Sequence, residues 1–76
     1  MPYTKFKTIV DPDGKRRIHI MLSDDGRYRF IEEKEDLDYL QKPYWAPISF
    51  SGIYSSAEDA EQDARLAISW LRDLSN

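Results

Sequence analysis

Two short runs, Asp11-Pro12-Asp13-Gly14 and Ser23-Asp24-Asp25-Gly26, constrain this chain more than any other feature. In the first, proline presets φ at one corner. In both, glycine suits the left-handed position of a type I turn with a bulge. Each run separates stretches of alternating character, so each predicts a hairpin. Placing Asp11 opposite Lys15 sets Val10 against Arg16, Thr8 against Ile18, Phe6 against Ile20 and Thr4 against Leu22. Placing Ser23 opposite Arg27 sets Leu22 against Tyr28 and Ile20 against Phe30. Two turns assigned independently thus put Phe6, Ile18, Ile20, Leu22, Tyr28 and Phe30 on one face. A slip of one residue would move a whole strand's set to the other side.

Such a face needs a cover, and Ser55 to Leu74 supplies the long helical period. Ser55 or Ser56 is placed to cap it, with Glu58 and Asp59 three residues after each in a capping box. Acidic side chains crowd the first turns, where the helix dipole favours them. Ala57, Ala60, Ala64, Ala67, Ile68, Leu71 and Leu74 fall on one stripe roughly 120° wide, the width of a helix lying on a core. Leu66 and Trp70 lie beside that stripe. Glu61 and Arg65 form an i,i+4 pair on the wet side.

Between these units the reading is less regular. Residues 34–47 are rich in charge and hold Pro43 and Pro47 around Tyr44-Trp45-Ala46, which predicts a connecting loop with no interior strand. Ile48 to Ser51 alternates again and predicts a fourth strand beside the third. Ile53 or Tyr54 is placed to staple the helix entry. The expected fold is α+β: a single domain over 1–76, with an antiparallel meander of three to four strands within 3–51 and one C-terminal helix over 56–74 packed across one face.

Composition narrows the class. Seventy-six residues support one small core, and the absence of cysteine excludes disulfides and thiolate metal sites. No secretory leader or membrane-spanning run is evident, so a soluble, cytoplasmic protein is expected. Residues 1–34 carry eight basic side chains against six acidic, and residues 35–76 three against eight. The sheet is therefore basic and the helix acidic.

No catalytic, cofactor or metal signature emerges. His19 is the only histidine. Its expected cross-strand neighbours, Lys7 and Ile31, offer neither an orienting carboxylate nor a nucleophile, so it reads as a plain surface histidine. The aspartate-glycine runs place glycine directly after the second aspartate, which is not the spacing of a calcium loop. The helix carboxylates are explained by capping and solvation, and the glycines make no phosphate cradle.

Two surfaces remain. The first is the set Tyr39, Leu40, Tyr44, Trp45, Leu66 and Trp70, residue types favoured at protein interfaces. It points to a non-enzymatic interaction protein that binds another protein or itself as a homodimer. The second is the basic reverse face of the sheet: Lys5, Lys7, Arg17, His19, Arg27 and Arg29, with Tyr3 at its rim. It points to nucleic acid as the alternative partner. Strands one to three plus the helix resemble, in layout alone, the three-stranded-sheet DNA-binding modules of plant transcription factors and integrase arm-binding domains.

Overall fold

The computed structural model describes residues 3–74, so the single-domain expectation over 1–76 reaches beyond them at each end. Four antiparallel strands form one open sheet in sequence order: β1 (Tyr3–Val10), β2 (Arg16–Ser23), β3 (Tyr28–Leu37) and β4 (Pro43–Phe50). Two helices follow, α1 (Ala57–Ala67) and α2 (Ser69–Leu74). The α+β architecture is the expected one. No helix among the described residues is long and apolar enough to cross a membrane.

The β2–β3 hairpin has the expected register: Leu22 pairs with Tyr28, Ile20 with Phe30 and Arg17 with Glu33. The β1–β2 hairpin departs from it. Asp13 Oδ1 accepts the Lys15 amide at 2.9 Å, so that amide turns inward to the loop. Asp11 then bonds across to Arg16 rather than Lys15. This one-residue offset sets Ile9, not Thr8, against Ile18, and Thr8 against His19. A β-bulge at Phe6 absorbs the offset, so Thr4 still meets Leu22. Phe6 is left largely exposed, edge-on to Tyr28 at 5.5 Å between ring centroids.

The expected loop at 34–47 is instead the far half of a long hairpin. β3 runs to Leu37 and pairs with β4 back to Pro43. Its turn has the geometry of the other two: Gln41 N–H donates to Asp38 O at 2.9 Å, as Gly14 does to Asp11 and Gly26 to Ser23. Gln41 takes the left-handed φ of 63° that glycine takes in the others. The prolines are tolerated because β4 is an edge strand, and Ile48 is an extra residue where the register shifts between Ser49 and Pro47.

Ser56 caps α1, its hydroxyl accepting the Asp59 amide at 3.1 Å. α1 lies over β2 and β3, and α2 packs against α1. Ile18, Ile20 and Phe30 pack there with Ala60, Ala64, Ile68 and Leu71 in one buried cluster. Tyr54 stacks on Phe30 and is joined to Tyr28 by a pair of backbone hydrogen bonds, while Ile53 is exposed. The single helix expected over 56–74 is broken: Ile68 adopts an extended conformation at φ −112°, ψ 110°. A β-branched residue followed by serine is a weak helix interior. The break keeps Ile68 and Leu71 buried but leaves Ala67 and Leu74 exposed, off the stripe that an unbroken period would bury. It also leaves Trp70 able to bond Glu32 on the sheet, Nε1 to Oε2 at 2.9 Å.

Candidate functional site

Strand alternation sends the neighbours of the core residues to the opposite face, which no helix covers. The register brings Lys5, Met21 and Arg29 into one row across β1 to β3. Thr8, His19, Ile31 and Phe50 form the next, across all four strands. Arg17, Glu33 and Pro47 follow, then Glu35 with Trp45. Tyr3 closes the near end, its ring 5.2 Å from the Arg29 guanidinium.

A single polar chain crosses this open face from β1 to β4. The Thr8 hydroxyl lies 2.8 Å from His19 Nδ1, and His19 Nε2 lies 2.9 Å from Glu33 Oε1. Ionised Glu33 can only accept, so Nε2 carries the imidazole proton and Thr8 donates to Nδ1. Arg17 Nε donates to the same Glu33 oxygen at 2.6 Å, and its guanidinium lies 4.0 Å from the Trp45 ring centroid. His19 is therefore buried and fully bonded, not the plain surface histidine the sequence suggests. The turn offset accounts for the difference by bringing Thr8, in place of Lys7, beside it.

The electrostatics follow from these contacts. Burial holds the His19 imidazole below its ordinary range, against the opposing pull of Glu33. Burial also disfavours ionised Glu33, but the hydrogen bonds from Arg17 and His19 outweigh it and leave the carboxyl below its usual value. Thr8, His19 and Glu33 stand in the order hydroxyl, base, carboxylate. Hollows are found beside Tyr3, Asp24, Arg27 and Ile53, along Glu58, Glu61 and Arg65, and at Arg27, Tyr54 and Ser55. The bonds Thr8–His19–Glu33–Arg17 tie β1, β2 and β3 together.

The expected nucleic-acid set loses Lys7 from the open face and much of its free charge. The bulge at Phe6 turns Lys7 to the helix side, where its ammonium meets Glu61 Oε1 at 2.8 Å. Arg17 is matched by Glu33, Arg27 lies 3.5 Å from Asp25, and buried His19 is held neutral. Lys5 and Arg29 keep the open face without an ion pair among the described residues.

The expected interaction set is dispersed. Tyr39 and Leu40 sit at the exposed tip of the β3–β4 hairpin. Tyr44 lies on the helix side of β4 and Trp45 on the open side, because they are consecutive on a strand. Leu66 points outward from α1, and Trp70 packs against the core. Phe50, Met21, Ile31 and Glu35 belong to the open face and were not in either set. The alternation of Ile48 to Ser51 was visible, but without the β4 register its face was undefined. The chain matches no protein-family model, no curated protein and no solved structure closely enough to indicate kinship.

Proposed function

We propose that this chain is a non-enzymatic protein-interaction module of the cytoplasm, and that the open face of its sheet is the docking surface. One observation carries the reading: the face sets aromatic and aliphatic side chains among its charges, and Arg17 and Glu33 at its centre satisfy each other. Tyr3, Met21, Ile31, Trp45 and Phe50 lie on it, with Phe50 59% exposed. Arg17 is neutralised by Glu33 and stacked on Trp45, while Arg29 lies between Tyr3 and Phe50. The central pair can be dehydrated together, the unpaired Lys5, Arg29 and Glu35 call for charges on the partner, and exposed rings among them favour an interaction site. The absence of cysteine suits a reducing compartment.

The nucleic-acid alternative is less well supported. Tyr3, Trp45 and Phe50 offer stacking surfaces, but Lys5 and Arg29 are the cations on that face left without a carboxylate, too few to track a polyanion.

The test is capture from native cells with the intact protein, Phe50→Asp and Leu66→Asp. Partner loss with Phe50→Asp and retention with Leu66→Asp is the expected result. Loss with Leu66→Asp alone moves the surface to the helix. Salt-sensitive binding of single-stranded oligonucleotide, abolished by Lys5→Glu with Arg29→Glu, favours the alternative.

A further inference from the structure

Arg29 and Glu35 project from the same open face of β3, six positions apart, and neither has an ion-pair partner among the described residues. Arg29 is held between the Tyr3 and Phe50 rings, and its Nε is buried with no acceptor. A cation held between two rings with no carboxylate beside it is suited to meet an anion from outside the chain at its guanidinium end. The chain itself carries one at the matching place.

We infer that the occupant of the open face is a second copy of this chain, docked sheet to sheet about a two-fold axis that crosses the strands. This rests on the docking reading above and names its partner. In an isologous interface, if residue i meets residue j, then j meets i. An axis lying across β3 at the level of Glu32, midway between positions 29 and 35, sets Arg29 of each copy opposite Glu35 of the other. The same axis sets Phe50, level with Ile31, opposite Pro47, level with Glu33. It carries Lys5, level with Arg29, toward the acidic turn Asp11–Asp13 at the other end of the hairpin. An axis along the strands instead superposes β1 on β4 and makes none of these charge pairs.

The dimensions allow it. The molecule measures 39 × 35 × 16 Å, and its four strands, ~4.8 Å apart and up to ten residues long, give a face of roughly 19 × 33 Å. With its side chains interdigitated, the whole of that face approaches the ~800 Å² per partner of a standard interface. Face-to-face sheets pack ~10 Å apart with interdigitating side chains, which suits the mixed ring and aliphatic surface here.

The experiment is sedimentation equilibrium of the intact protein, Glu35→Arg, Arg29→Glu, their equimolar mixture, and the double variant. The wild type is expected to be dimeric, and each single change to raise the dimer dissociation constant at least tenfold. The mixture and the double variant are both expected to recover to within about threefold of wild type, because each restores two opposite-sign pairs across the axis. Glu35 is exposed, so Glu35→Arg tests the pairing even if Arg29→Glu perturbs folding. A wild-type chain that stays monomeric overturns the second copy. If Phe50→Asp still releases a captured partner, that outcome leaves the docking face standing. A dimer indifferent to Glu35→Arg and to Phe50→Asp overturns both readings. Single variants that weaken without recovery in the mixture overturn the proposed axis.

Discussion

Trp70 donates its indole N–H to the Glu32 carboxylate at 2.9 Å, joining the last helix to the middle of the sheet. Glu32 is 9% exposed and shares the helix side of β3 with Phe30. Its other side-chain contact is the Ser49 hydroxyl at 3.4 Å. The bond therefore supports a buried charge inside a small core, where Trp70 belongs to folding more than to docking.

Trp70→Phe keeps the ring but removes the donor. The expected loss is about 1.5–3 kcal/mol, the range for hydrogen bonds to charged groups. Adding Glu32→Gln is expected to recover part of it, because a neutral amide is less costly to bury. Urea denaturation of the two variants measures both effects.

Acidification is expected to weaken the fold in two stages. The unfolded chain takes up a proton at His19 near its ordinary value of 6.5, whereas burial holds the folded group lower. Stability therefore falls as pH drops from that value through the folded one. Glu61 is held below its ordinary 4.5 by hydrogen bonds from Lys7 and Arg65, and Glu33 is also lowered, by Arg17 and His19 against burial. Their contribution is present above that value and is lost as pH falls through the lowered folded values. His19→Gln is expected to remove the first stage and leave the second. Urea midpoints from pH 8 to 3 give the comparison, and a wild-type profile that stays flat down to pH 5 contradicts it.

The three hairpin turns make a paired forecast. Gln41 has the left-handed φ that costs a residue with a Cβ about 1–2 kcal/mol. Gln41→Gly is expected to leave stability unchanged or raise it by up to about 1 kcal/mol, the backbone relief offset in part by glycine's entropy. Gly26→Ala, at φ 82° in open space, is expected to lose about 1 kcal/mol through backbone strain alone. Thermal melts of both variants decide it.

Arg17→Lys tests the polar chain across the open face. A lysine cannot both bond Glu33 and lie flat against Trp45. The expected loss is about 1–2 kcal/mol. In an amide-proton NMR spectrum the Trp45 indole resonance is expected to move, while that of Trp70 stays in place.

How much of this was legible follows from where the signals were local. Ser23-Asp24-Asp25-Gly26 carries its own turn chemistry, and the β2–β3 register came with it. Asp11-Pro12-Asp13-Gly14 misled by one residue, because the aspartate that favours the turn also captures the Lys15 amide. From that one bond follow the exchange of Thr8 for Lys7 beside His19 and the transfer of Lys7 to the helix side. Asp38 to Gln41 is the same turn with glutamine in glycine's place. Its strands look like a loop in the sequence because two prolines on an edge strand read like two prolines in a coil. The break at Ile68 has no proline or glycine to announce it.

The irregular outer strands have one more consequence. β1 carries a bulge and two lysines, and β4 carries two prolines and an extra residue, so neither margin offers a straight run of free amides to a neighbour. Lateral polymerisation is closed off on both flanks. Association through the sheet is thereby directed along its normal, and the docking proposed above would close at two copies rather than extend into a fibre.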